Sequence, residues 1–202
     1  MNGVFTIEEI KSRFASEWVL LEDPETSESL EVIRGKVLWH SKDRDEVYRK
    51  ARELRPRTFG HRLRRNHPGR NGRGLMSLSF DPKEGLIVVP TRLYGPTGDA
   101  IIRLALDTGA TGTVVNWDLL VLLGYDPAGV PERAQMTTGS GVEFVPRLVV
   151  DKIEALGKQK TNFPVLCHTL PPSSTVDGVL GLDFCRGCRL TVDLHTGLVT
   201  LE

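Results

Sequence analysis

The tripeptide that begins at Asp107, Asp-Thr-Gly, is the part of the sequence best suited to chemistry. Residues 101–106 alternate in side-chain character with a period of two, which predicts a strand that runs into Asp107. Residues 113–115 resume an extended run, and Gly109 and Gly112 permit a tight turn between the two strands. Because Gly109 has no Cβ, backbone N–H groups can approach the Asp107 carboxylate. The pattern predicts a carboxylate on a loop held at both ends.

A second feature lies late in the chain, where Val179 and Leu180 place two apolar residues before Gly181. Together with the Asp107 tripeptide, this turn resembles the signature of the retropepsin-like aspartic proteases. In that family an Asp-Thr/Ser-Gly-Ala loop is followed, late in the domain, by a hydrophobic-hydrophobic-Gly turn that enters a short helix. The resemblance covers about residues 75–202 and is closest to small bacterial members of the family.

The resemblance implies roles for the residues of the first loop. Asp107 would be the catalytic residue, and Thr108, Gly109 and Ala110 would complete the active-site loop. Thr108 would brace two paired loops through its hydroxyl, and Gly109 would help to bind the water or the substrate. The alternative for these residues is an ordinary Asp-Gly surface turn without a catalytic role.

Peptide hydrolysis without a metal explains why this chemistry needs two carboxyl groups. One takes a proton from water, and the other, still protonated, polarises the peptide carbonyl; at about 3 Å apart the two share one proton. The chain contains no second Asp-Ser-Gly or Asp-Thr-Gly, which excludes a two-lobed arrangement like that of pepsin. Activity is therefore expected only in a symmetric homodimer in which Asp107 of each copy meets at the two-fold axis. No cofactor is expected.

A glycine-containing hairpin is predicted at residues 136–144, with strands on either side of its tip. The tip consists of four small residues: Thr138, Gly139, Ser140 and Gly141. In retropepsin-like enzymes such a hairpin is a flap that closes over an extended peptide substrate and excludes water. The alternative is an ordinary hairpin between core strands.

The fold class predicted for the second part of the chain is mostly β: a closed acid-protease barrel with one or two short helices. Short apolar runs predict its strands at 86–89, 101–106, 147–150, 163–166, 190–194 and 198–201. One helix is predicted at residues 117–123, and a shorter one after Gly181.

The first part of the chain, residues 1–54, predicts a small α/β module of unknown role. A capping box from Thr6 to Glu9 begins a helix, and Asp43 begins another that ends near Leu54. Two strands are expected between the helices, at 17–21 and 35–40. The module resembles, loosely, small modules of bacterial genomes, some of them close to toxin–antitoxin loci.

A basic segment at residues 55–74 separates the two parts and predicts a flexible linker. The whole chain is neutral, with 26 basic and 26 acidic residues, yet residues 55–73 hold seven arginines and no acid. Such a run can bind nucleic-acid phosphates nonspecifically, but most such linkers are simply solvated, and solvation is the preferred interpretation. Met76 follows this tract, which suggests that the two parts descend from adjacent reading frames and that a shorter product starts there.

The sequence also bears on location and metals. No stretch reaches the roughly 18 apolar residues of a membrane span, so a cytoplasmic protein without a membrane partner is expected. An odd number of cysteines, at 167, 185 and 188, makes a disulfide framework unexpected. A zinc site that uses them with His168 is disfavoured, because adjacent residues on a strand point to opposite faces.

Three functions from different classes remain open on the sequence alone. The first is a homodimeric aspartic endopeptidase that acts on peptide or protein substrates. The second is a catalytically silent dimerisation or peptide-binding module with the same fold. The third is an antitoxin-like regulator that acts through the N-terminal module and the basic linker, with the protease-like domain as its dimerising part.

Overall fold

The computed structural model describes residues 3–61, 77–138 and 141–202. The N-terminal part contains β1 (Val4–Thr6), α1 (Ile7–Arg13), β2 (Trp18–Thr26), β3 (Val32–Ser41), α2 (Arg44–Leu54) and β4 (Thr58–His61). The remainder contains β5 (Ser77–Ser79), β6 (Val88–Gly95), β7 (Gly98–Leu106), β8 (Val114–Asn116), α3 (Trp117–Leu122), β9 (Arg133–Thr138), β10 (Gly141–Ala155), β11 (Lys158–His168), β12 (Gly178–Leu180), α4 (Leu182–Cys185), β13 (Leu190–Asp193) and β14 (Leu198–Leu201).

Six strands of the second part form a closed barrel. Their order is β7-β12-β8-β11-β10-β6, and β6 pairs again with β7 to close the ring. A hairpin formed by β9 and the first half of β10 projects from this barrel, and β13, β14 and β5 form a separate three-stranded sheet. This architecture confirms the predicted closed, mostly β domain with short helices.

The N-terminal part forms a sheet of order β1-β3-β2-β4 with its two helices. Thr6 begins α1 as predicted, because its side chain accepts a hydrogen bond from the Glu9 N–H and the Glu9 carboxylate accepts one from the Thr6 N–H. Asp43 caps α2 by accepting a hydrogen bond from the Asp45 N–H. Both predicted helices are therefore present.

The basic segment differs from the predicted linker at its start. Thr58–His61 forms β4, which pairs antiparallel with β2 and parallel with β7 of the barrel. Extended backbone here is reinforced by a hydrogen bond from the Thr58 hydroxyl to the Asp99 carboxylate, at 3.0 Å. The N-terminal sheet and the barrel are thus continuous through β4. Residues 62–74 of the predicted linker, with five of its arginines, and Met76 lie outside the described residues.

The hydrophobic core crosses the boundary between the two parts of the chain. Val47, Tyr48 and Phe59 belong to the same buried cluster as the barrel residues. A second cluster, formed mainly by α1, β2 and β3, includes Ile101 from the barrel strand β7. Each part therefore buries apolar surface of the other. Burial of apolar surface is the main favourable contribution to the free energy of folding.

Candidate active site

The strands that enter and leave the Asp107 loop do not pair with each other, because β12 lies between them. β12 runs parallel to β7, with Leu180 opposite Leu106, and antiparallel to β8, with Val179 opposite Val114. The predicted Val179-Leu180-Gly181 turn is thus the end of a buried strand that separates the two arms of the loop. The two sequence motifs meet in space.

Backbone hydrogen bonds hold the loop against β12 and α4. The Asp107 N–H donates to the Leu180 carbonyl at 3.1 Å, and the Leu182 N–H donates to the Ala110 carbonyl at 2.8 Å. Within the loop, the Ala110 N–H donates to the Asp107 carbonyl at 3.3 Å. The path of the loop backbone is therefore fixed at its start and at Ala110.

The Asp107 carboxylate lies at the surface of the single chain, as do Thr108 and Gly109. The Gly109 N–H donates to Asp107 Oδ1 at 2.8 Å. A Cβ at Gly109 would lie 3.1 Å from that same oxygen, which is tighter than ordinary van der Waals contact. Glycine thus allows the backbone to approach the carboxylate, as the sequence predicts.

Gly181 makes a second close approach at this site. A Cβ there would lie 2.7 Å from the Gly112 backbone, so only glycine lets the two chain segments touch. The Gly181 N–H donates to the Thr113 hydroxyl at 3.2 Å, and that hydroxyl donates to Asp183 Oδ1 at 2.7 Å. Thr113 and Asp183 were not among the predicted site residues, although both lie within three residues of a predicted motif.

The hairpin that was predicted as a flap is formed by β9 and the first part of β10, with Thr138 opposite Gly141 at its described end. Gly139 and Ser140 lie outside the described residues. The Thr138 hydroxyl donates to the Gly141 carbonyl at 3.3 Å. Both predicted strands of the hairpin therefore form as expected.

The two faces of the hairpin differ in character. Val142 and Phe144 share one face and are 55% and 69% exposed. Glu143 lies on the other face, and its carboxylate is 3.7 Å from His168 Nδ1 at the end of β11. One face of the hairpin thus carries an exposed apolar pair that was not predicted from the sequence.

A buried carboxylate lies behind the loop. Asp177 is fully buried, and its oxygens accept hydrogen bonds from the Tyr48 hydroxyl at 2.6 Å and from the Arg103 N–H at 2.7 Å. The pKa of Tyr48 is raised well above its usual value, chiefly because the ring is buried and also because it faces the charged Asp177. The hydroxyl therefore stays protonated, and able to donate to Asp177, at neutral pH.

The three cysteines carry free thiols. Cys167 and Cys185 are buried, and burial raises the pKa of the Cys167 thiol to about 11. Within the described parts of the chain, no group of three or more His, Cys, Asp or Glu side chains is arranged to hold a metal ion. Among those same residues, no helix has the length and apolar character that crossing a membrane requires.

A closed barrel in which a buried strand separates the two arms of an Asp-Thr-Gly loop defines the acid-protease class of fold. Residues 93–184 match the model of the aspartyl protease family, and this segment contains the Asp107 loop, the hairpin and the Val179–Gly181 turn. The second part of the chain therefore has a retropepsin-like fold and is similar to the aspartyl protease family, as the resemblance predicted.

Solved structures with a similar fold include a retropepsin-like aspartic protease from Rickettsia conorii. It is 16% identical, with a TM-score of 0.49, over 63% of this chain and 89% of that one. Another is the retroviral protease-like domain of Ddi1 from Leishmania major, 17% identical with a TM-score of 0.38, over 59% of this chain and 90% of that one. No curated protein matches the chain.

Proposed function

We propose that the protein is a homodimeric aspartic endopeptidase in which Asp107 of two copies forms the catalytic pair. One observation carries the proposal: a surface carboxylate, fixed by the Gly109 N–H at 2.8 Å, ends the β7 arm of an acid-protease loop that occurs once in the chain. A single carboxylate can act as acid or as base, but not as both in the same step. A second copy supplies the missing group.

The reaction needs only these two carboxyl groups and a water molecule. The ionised Asp107 takes a proton from the water as the water attacks the peptide carbonyl carbon, and the protonated Asp107 donates to the carbonyl oxygen. The tetrahedral diol then collapses: the Asp107 that took the water's proton donates it to the amine leaving group, the other Asp107 takes a proton from one hydroxyl of the diol, and the C–N bond breaks. Because a shared proton is required, activity is expected to favour mildly acidic pH.

The substrate class follows from the hairpin. An extended peptide held under it can receive main-chain hydrogen bonds from the loop and the hairpin, whereas side-chain pockets set the preference. The exposed pair Val142 and Phe144 gives the hairpin an apolar face for a peptide or for the second copy. We propose unstructured peptide segments with apolar side chains as the preferred substrates.

The test is cleavage of a diverse pool of unstructured peptides from about pH 4 to about pH 7.5, with the oligomeric state measured on the same samples. Asp107→Asn is expected to abolish cleavage and to leave dimerisation and thermal stability nearly unchanged. Asp126→Asn is the matched control, because Asp126 is also an exposed carboxylate that accepts a nearby backbone N–H. Dimers of wild type that cleave nothing at any pH would instead favour the peptide-binding module.

A further inference from the structure

Helix α2 of the N-terminal part is hydrogen-bonded to the segment that leads into β12. Its buried face is formed by Arg44, Val47, Tyr48 and Ala51, at helical spacing. Arg44 Nη2 donates to the Leu170 carbonyl at 2.9 Å, and the Tyr48 hydroxyl donates to Asp177 Oδ1 at 2.6 Å. The helix therefore holds both ends of the stretch 170–177.

Asp177 connects this stretch to the two strands that form the arms of the Asp107 loop, β7 and β8. Arg103 lies on β7, and its N–H donates to the Asp177 carboxylate. In return, the Asp177 N–H donates to the Arg103 carbonyl at 2.8 Å. Its carbonyl accepts the Asn116 N–H at 2.8 Å, on β8. Asp177 thus bonds to both strands that flank β12, and it immediately precedes that strand.

The remaining link to the site is short. Leu180, three residues after Asp177, is the backbone acceptor for the Asp107 N–H at 3.1 Å. A displacement of Asp177 along or across β12 would therefore shift the group that fixes the start of the loop. Misplacement of a reacting group by about 1 Å can cost about a hundredfold in rate.

We propose that Tyr48, a residue of the N-terminal part of the chain, is a positioning residue for Asp107. The inference rests on the proposed proteolytic function and extends it to a residue that touches neither substrate nor water. A fully buried carboxylate must be matched by donors, and the Tyr48 hydroxyl supplies a short one from outside the barrel. Without that hydroxyl, Asp177 is expected to rearrange and to move β12 with it.

Tyr48→Phe tests this directly, because it removes only the hydroxyl and keeps the ring in the core. Two controls separate positioning from general stability. Val47→Ala alters the same buried helix face without a polar contact to Asp177. Tyr94→Phe removes a hydroxyl that donates to Glu154 at 3.0 Å. Tyr94 lies on β6, opposite Asp99 at the start of β7, whereas Asp107 follows the end of β7.

The first readout is the steady-state cleavage of a peptide selected from the pool, well below the unfolding temperature. Tyr48→Phe is expected to lower kcat at least about tenfold while KM stays within about twofold. Val47→Ala and Tyr94→Phe are expected to keep the kcat of wild type. A wild-type kcat in Tyr48→Phe, or an equal loss in Val47→Ala, would overturn the inference.

The second readout does not need catalysis: amide hydrogen exchange of the segments 104–113 and 177–184 in the full chain. Exchange in both is expected to be faster in Tyr48→Phe alone. Equal exchange in wild type and Tyr48→Phe, or equal acceleration in Val47→Ala, would refute the positioning role even if no variant cleaves. If Tyr48→Phe does not fold, Asp177→Asn, which keeps the shape of the side chain, takes its place in the same comparison.

Discussion

Thr113 and Asp183 are joined by two hydrogen bonds that connect the end of the Asp107 loop to helix α4. Asp183 Oδ1 accepts from the Thr113 hydroxyl at 2.7 Å, and Oδ2 accepts from the Thr113 N–H at 2.9 Å. The same hydroxyl accepts from the Gly181 N–H at 3.2 Å. One buried side chain thus connects the two sequence motifs that are far apart in the chain.

Thr113→Val is expected to destabilise the protein by about 1–3 kcal/mol, because a side chain of the same shape leaves the Gly181 N–H and Asp183 Oδ1 each without this partner. Urea unfolding measures the loss, and cleavage should fall as the loop loosens. Thr113→Ser is the control, since it keeps the hydroxyl and removes only a methyl group. Wild-type stability in Thr113→Val would show that the hydroxyl does not hold the loop.

Mixed dimers test whether two Asp107 residues act together. When wild type is refolded with an equal amount of Asp107→Asn, about one quarter of random dimers keep both carboxylates, so activity per wild-type chain should fall to about one half. The measurement is the cleavage rate as a function of the fraction of variant chains. The rate should be proportional to the square of the wild-type fraction. Asp126→Asn as the partner should leave the rate unchanged. A linear dependence on the wild-type fraction in the Asp107→Asn series would contradict the paired site.

Alkaline titration should reveal the surroundings of the three tyrosines of the chain. Burial raises the pKa of Tyr48, of Tyr94 and of Tyr125, the last to about 12. A pKa that is raised in the folded state means that folding favours the protonated tyrosine. The resulting contribution to stability is fully present below the pKa of unfolded tyrosine, about 10, and is lost as the pH rises through the folded-state pKa. Phenolate absorbance in the folded protein should therefore remain low at pH 10 and rise only well above it.

The comparison for this titration is the same protein in urea, where all three tyrosines should ionise near pH 10. Stability measured by urea unfolding should decrease between about pH 10 and pH 12. Tyr125 is the best-defined case, because its hydroxyl donates to the Tyr94 carbonyl at 2.8 Å and accepts from the Asp151 N–H at 2.8 Å. A folded-state titration of all three near pH 10 would contradict their placement.

Local sequence patterns predicted the parts of the fold that depend on neighbouring residues. The capping box at Thr6, the helix after Asn116 and the hairpin around Gly141 follow from residue types within a few positions of each other. β10 was predicted as two pieces around Pro146, which has no N–H to donate. The strand continues because Pro146 lies where β10 changes its pairing from β9 to β11.

Features that depend on distant residues were not predicted from local patterns. The strand at Thr58–His61 lies at the start of an arginine-rich segment and forms through pairing on both sides, with β2 and β7. The Tyr48–Asp177 contact joins residues that are 129 positions apart, and nothing in the neighbourhood of either marks it. The insertion of β12 between the loop arms was not predicted either, since three residues carry too little periodicity.

The shared core leads to a prediction about the two parts of the chain. Since Val47 and Phe59 pack in the barrel cluster and Ile101 packs in the N-terminal cluster, the full chain should unfold in one cooperative transition. Trp117→Phe leaves only the N-terminal reporters Trp18 and Trp39. In this variant, tryptophan fluorescence and far-ultraviolet circular dichroism should give the same urea midpoint; two separate midpoints would show that the parts unfold independently.

The same argument applies to a chain that begins at Met76. Such a chain would lack β4, the parallel partner of β7 at Asp99–Ile101, and it would expose Ile101, which is 6% exposed in the full chain. It would also lack the Tyr48 hydroxyl that donates to the buried Asp177. Loss of one hydrogen bond to a buried carboxylate costs about 1–3 kcal/mol. We expect this shorter chain to aggregate or to show no cooperative unfolding, as measured by thermal melts. A soluble product with a sharp transition would instead support expression of the second part on its own.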